Sequence, residues 1–316
     1  MLMDKNLISL FDEDICKTKK IIEMNLNSKD TKLKSIMNEL PATEGKLIRA
    51  VFVLIGGSFG QIEKSRLLNI CAAIELLHLA TLVHDDIIDE ANYRRGKKTI
   101  NSNHGIKSSL FIGDYLFSHS YVLFSNYSSM KSIMEVSETI KLICEAEINQ
   151  FQGRTSLNTT IKDYLKRING KCASLFSLSL SIGAYEAHAE LSTIKKLKKI
   201  GYYSGMAFQL IDDILDITAP KAILGKPSEN DIKEGIYTFP VLYELNNANI
   251  HLRNALITTS FEEAIEILKT SDGLRKAKET AKRYTQKSLK LIEELPVSME
   301  STYLKNIVEG LLMRTF

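Results

Sequence analysis

A chain of 316 residues with 44% hydrophobic and 25% charged residues has an ordinary globular composition; it fits one large domain or two smaller ones and excludes extensive disorder. The 41 basic and 38 acidic residues leave a formal net charge of +3, too small for a general nucleic-acid signal. Four cysteines (Cys16, Cys71, Cys144, Cys172) stand far apart with no CxxC, which argues against a disulfide framework or a zinc site and suits a reducing cytoplasm.

In chain order, the opening MLMDKNLISLFDEDICK carries acids inside its only apolar stretch and does not read as a secretory signal. No uninterrupted apolar run is expected to span a bilayer. Helix-period patterning predicts helices near 15–38, 66–90, 108–127, 131–152, 161–188, 191–217, 239–247, 261–269, 275–294 and 299–314. The run AVFVLIGG at 50–57 has a strand-like composition but no second strand pattern to pair with, so it reads as a buried helical turn. Three of the five prolines (Pro220, Pro227, Pro240) fall in one window, leaving the rest free to be helical. Two polar stretches, 91–106 and 219–238, read as long loops of the kind that carry function. Nothing marks a boundary or a repeat, so residues 1–316 read as a single all-α domain, a bundle of about ten or more helices.

The chemistry concentrates in two acidic clusters. Segment 66–90 is apolar on nearly every side until Asp85, Asp86 and Asp89 arrive in its last turn. Like charges four apart repel, and a helix C-terminus is already negative. A hard divalent cation resolves that cost, and all-carboxylate ligation points to Mg²⁺ rather than zinc. GMAFQLIDDILDI at 205–217 repeats the form with Asp212, Asp213 and Asp216. One DDxxD alone reads as a solvated helix end; two, each ending an apolar helix, favour a metal-bound diphosphate. Basic groups lie nearby in sequence: Lys46 and Arg49 three apart on one expected helical face, Arg94 and Arg95 after the first cluster, Lys171 after Gly170, and Lys226 after the second. Arginine's planar fork and lysine's point charge both suit phosphate oxygens. His78 and Gln209 lie on the helical faces that lead to the two clusters; for each, a functional role and a satisfied core group both remain open readings.

These pieces resemble the trans-isoprenyl (polyprenyl) diphosphate synthases over nearly the whole chain. The matching elements are GKLIR at 45–49, IELLH at 74–78, HDDIIDE at 84–90, RRGKKT at 94–99, GDY at 113–115, GK at 170–171, MAFQLIDDILD at 206–216, GKP at 225–227 and ND at 230–231. The resemblance implies an all-α bundle around a deep central cavity, usually dimeric. It implies head-to-tail condensation of an allylic diphosphate, farnesyl or geranylgeranyl, with isopentenyl diphosphate through an allylic carbocation. By position, Asp85, Asp89 and Asp212 would hold Mg²⁺, three ions with substrate bound, supported by Asp86, Asp213 and Asp216. Arg94, Lys171, Gln209 and Lys226 would bind the allylic diphosphate; Lys46, Arg49, His78 and Arg95 the isopentenyl diphosphate; and Phe208 would line the homoallylic tail.

Departures refine the expectation. Glu44-Gly45-Lys46 replaces GGK, Ala50 replaces a proline, Cys172 stands where threonine is usual, and Ile236 stands where many members have lysine. The lysine-free element, with Arg314, looks like the large catalytic subunit of heteromeric hexaprenyl or heptaprenyl diphosphate synthases. That implies either a homodimer or a heterodimer with a small helper subunit, no nucleic acid, and at most peripheral membrane contact. Product length in this family is set one to two turns before the first DDxxD. Ala80 and Thr81 are small there, so a hexaprenyl to heptaprenyl product is expected, with a floor near Leu77 or Ile148; a shorter geranylgeranyl product is the alternative. Among other classes, a terpene cyclase would carry a mixed second motif in place of DDILD. A di-iron bundle would need a second Glu-x-x-His besides Glu75 and His78. An inactive subunit of the same fold would have lost aspartates that are intact here.

Overall fold

The structure is a computed structural model and describes residues 9–42, 44–94, 96–218 and 230–312. Among these the only strands are a two-residue antiparallel pair, Tyr93–Arg94 with Lys97–Lys98. Everything else that is regular is helical, so the fold is all-α. The described residues fall into two compact units: residues up to 136 with 179–197, and residues 137–178 with 198 onward.

The first unit holds α1 (Asp12–Leu26), α2 (Thr31–Met37), α3 (Ile48–Gly57), α4 (Lys64–Ile88) and α5 (Ile100–Tyr127). The patterning at 15–38 is two helices because the Asp30 carboxylate caps α2, accepting from Lys32 N and Leu33 N at 2.8 and 3.0 Å. Residues 50–57 are helical as expected, and all eight are buried. By length and composition α4 could cross a membrane, against the expectation above, but 72% of its apolar window is buried inside the protein, as in a core helix. α3 lies so close to the 180–184 segment that a Cβ at Gly183 would come 2.1 Å from Val53 O, and one at Gly56 2.2 Å from Leu180 O. Buried Glu186 gathers Ser129 N, Ser129 Oγ and Ser132 Oγ at 2.5 to 2.8 Å and pairs with Arg66. It thereby ties the 128–132 turn to the start of α4. In the polar stretch 91–106 the described residues form a short hairpin with Gly96 at φ 79°, then the start of α5, with a break at Gly105 (φ 78°).

Three helices cross from one unit into the other along the chain, α6 (Met130–Gln152), α8 (Ser174–Glu186) and α9 (Leu191–Thr218). Between α6 and α8 the chain forms α7 (Ile161–Ile168) and a π-helical turn, Asn169–Ala173. The second unit ends in α10 (Asn230–Lys233), α11 (Phe239–Asn246), α12 (Ile250–Ile257), α13 (Phe261–Lys269), α14 (Asp272–Glu293) and α15 (Met299–Leu312). The helix at 250–257 escaped the periodicity reading. The core of this unit joins Tyr164, Ile168, Leu210, Ile214, Phe239 and Leu242.

Candidate active site

The first acidic cluster closes α4. Asp85 and Asp86 lie in its last turn, and Asp89 is the C-cap, its N–H donating to Asp85 O at 2.8 Å. Glu90, at φ 47°, ends the helix. Asp86 is buried and accepts from Arg94 Nε at 2.8 Å, whereas Asp85 and Asp89 are half-buried. The hairpin explains the eight-residue reach: Thr99 holds its base, with N–H to Asn92 O at 3.1 Å and hydroxyl to Ala91 O at 2.6 Å. Nε of Arg94 is engaged here; the same fork carries terminal N–H donors of the kind phosphate oxygens accept.

His78 is half-buried seven residues before Asp85, on the same face of α4. Leu77 and Ala80 are fully buried, and Thr81 turns its hydroxyl back to His78 O at 2.7 Å. Lys46 is exposed and precedes α3, separated from it by Leu47 in the left-handed region (φ 42°). It therefore does not share a helical face with Arg49, which is half-buried in the first turn of α3. Glu75 answers the di-iron alternative: its carboxylate accepts from Ala50 N at 2.9 Å, capping the start of α3.

The second cluster lies within α9. Asp213 is buried and accepts from Tyr164 Oη at 2.6 Å and Gln209 Nε2 at 2.9 Å, while Asp212 and Asp216 are half-buried. Burial pushes the Asp213 carboxyl up from its ordinary range, and the Tyr164 and Gln209 hydrogen bonds pull it back. Gln209, aligned in the sequence with Asp212 and Asp216, meets the aspartate four residues on. Arg167 lies 5.4 Å from the Tyr164 ring and donates to Tyr237 O at 2.9 Å. Asp231 is raised too, by burial and then by Asp213, with Lys171 and Arg167 acting the other way. Phe208 packs on Phe176 with ring centroids 5.4 Å apart. Lys171 sits in the π turn and reaches Glu147. Cys172 and Ile236 are buried, and Ile236 donates its N–H to Asp231 O at 2.7 Å. Ile148 is 56% exposed and so lines no interior floor of this chain. Arg95, Lys226 and Arg314, and the GKP element, lie outside the described residues.

Each DDxxD thus divides in the same way. The middle aspartate is buried and hydrogen-bonded inside its own unit, and the outer two are half-buried. Among the described residues no three His, Cys, Asp or Glu side chains already converge on a metal position. The carboxylates of the two motifs form an all-oxygen donor set, which fits Mg²⁺.

The family model described as polyprenyl synthetase matches residues 30–271. The chain belongs to the polyprenyl synthetase family. It is a trans-prenyltransferase, a prenyl diphosphate synthase with the isoprenoid synthase fold. Heptaprenyl diphosphate synthase component 2 of Geobacillus stearothermophilus is 32% identical over 308 residues, covering 96% of each chain. The solved heptaprenyl diphosphate synthase of Staphylococcus aureus superposes with a TM-score of 0.92 at 33% identity, covering 97% of this chain and 99% of that one. A polyprenyl synthase of Caulobacter crescentus, solved with calcium and isoprenyl diphosphate, gives a TM-score of 0.91 at 26% identity over 98% and 97% of the two chains. Sequence reasoning about this synthase missed Tyr164 and Glu147. Tyr164 carries the usual period of a core aromatic in IKDYLKRI, and nothing local marks its hydroxyl as the partner of Asp213.

Proposed function

We propose that this synthase extends farnesyl or geranylgeranyl diphosphate with isopentenyl diphosphate to an all-trans product of hexaprenyl to heptaprenyl length. The observation that carries the reading is the shared division of the two DDxxD motifs, a buried anchored aspartate between two half-buried ones. Asp85, Asp89 and Asp212 would hold Mg²⁺, three ions with substrate, with Asp86, Asp213 and Asp216 supporting. When bound, the metal supplies positive charge to the diphosphate that departs. Arg94, Lys171 and Gln209 would add donors to that diphosphate, and Lys226 would join by position. Lys46, Arg49, His78 and Arg95 hold isopentenyl diphosphate, so its double bond is presented to the allylic carbon in one orientation. Phe208, on its apolar neighbour Phe176, lines the tail of the incoming unit and keeps water from the cation.

Fully buried Ala80 supports the long product, because it adds almost no bulk one turn before the first aspartate. The Geobacillus relative is called component 2, which supports a heterodimer with a small helper subunit over a homodimer. Membrane contact would be peripheral at most. The scattered cysteines without a CxxC pair support a place in the cytoplasm. The test is turnover with Mg²⁺, farnesyl diphosphate and isopentenyl diphosphate, alone and with a candidate helper, with products sized by mass spectrometry. No condensation under either condition would sink the reading; a C20 product would sink the length.

A further inference from the structure

We infer that Glu147 is a positioning residue that aims the Lys171 ammonium at the substrate diphosphate, an inference that rests on the function proposed above. Three features of one unit meet there. Lys171 lies in the π turn Asn169–Ala173, an irregularity that is frequent at functional sites because it redirects one side chain out of helical register. The turn is closed by Ser174, whose hydroxyl donates to Gly170 O at 2.6 Å. Gly170 lets the turn approach α6 closely: a Cβ there would come within 2.6 Å of both Leu142 O and the Ala146 methyl. The next residue on α6 is Glu147, and its Oε1 and Oε2 lie 3.0 and 3.2 Å from Lys171 Nζ.

A surface lysine pair holds little, since both chains are free to move. Here the Glu147 side chain is only 14% exposed and that of Lys171 26%, and the backbone under the lysine is fixed by the turn. An ammonium has three N–H donors. Engaging it from the α6 side orients the remainder, which is the logic by which a kinase lysine binds phosphate while paired to a glutamate on a neighbouring helix. The Lys171 charge also holds down the raised carboxyl of buried Asp231.

The experiment uses E147Q, which keeps the shape and loses the charge, beside E147D and K171A. Apparent KM is measured separately for the allylic and isopentenyl substrates, and inorganic pyrophosphate binding is followed by calorimetry without metal. In E147Q the allylic KM should rise about tenfold, with the isopentenyl KM unchanged within about twofold and pyrophosphate binding weakened in step. E147D should recover most of the loss, and E147Q/K171A should be no worse than K171A. Wild-type kinetics in E147Q, an equal rise in both KM values, or tighter pyrophosphate binding would overturn the inference; the last would mean that Glu147 competes with the ligand. If E147Q does not fold, the same split is read in E147D at about threefold. An inactive wild-type protein would instead count against the proposed function, and an unaffected K171A against the role of Lys171.

Discussion

Removing the Tyr164 hydroxyl tests the anchoring of the second DDxxD. In Tyr164→Phe the ring stays against Phe239 (centroids 5.9 Å apart) and beneath Arg167, while Asp213 loses a 2.6 Å donor inside the protein. A hydrogen bond to a buried charged group is worth about 1.5–3 kcal/mol. At about 1.4 kcal/mol per unit, that raises the folded-state pKa of Asp213 by roughly one to two units. That carboxyl already stands above its ordinary 3.8, so the folded protein binds its proton more tightly than the unfolded chain does. Ionisation of Asp213 therefore works against the fold as pH rises through the folded pKa, and the mutation extends that window upward. Urea unfolding in chelator should show Tyr164→Phe destabilised by about 1.5–3 kcal/mol at pH 8 and by markedly less at pH 5, where Asp213 is largely protonated in the folded state. A loss that is equal at the two pH values, or below about 0.5 kcal/mol at pH 8, would refute the reasoning.

Four further outcomes are expected. Ala80→Phe should shorten the product as seen by mass spectrometry, since a phenyl ring enters a fully buried position before Asp85; an unchanged product would remove Ala80 from the length-setting set. Glu186→Ala should cost about 1–3 kcal/mol in chemical denaturation, because Ser129 and Ser132 lose their acceptor and Arg66, still bonded to Tyr127 O, loses its counter-charge. Gly183→Ala should cost about 1–3 kcal/mol or more, since the Val53 carbonyl is backbone and has little room to yield. Stripping divalent cations with a chelator should abolish condensation, and Mg²⁺ should restore it while Zn²⁺ does not.

Most helices were legible because apolar period and core position coincide, as in α4 and α9. Where reading failed, the deciding residue was local and polar. Asp30 splits one long pattern into two helices by capping, and Gly96 turns a polar stretch into a hairpin. Lys46 was placed on a helix that starts two residues later, because an αL residue at Leu47 has no signature in sequence. The aspartates announced themselves, since three acids at a helix end demand compensation. Their division into anchored and half-buried members did not, because Tyr164 and Arg94 reach Asp213 and Asp86 from 49 and eight residues away.

Ala50 is gripped by α4 through both of its peptide groups: its N–H goes to Glu75 and its carbonyl accepts the Cys71 thiol at 3.6 Å. Arg49 is its neighbour in α3, and His78 lies one turn beyond Glu75 in α4. The helices that carry Arg49 and His78, two residues proposed above for isopentenyl diphosphate, are thus joined at Ala50. A shift of α3 against α4 at this point would have to break both of the Ala50 hydrogen bonds.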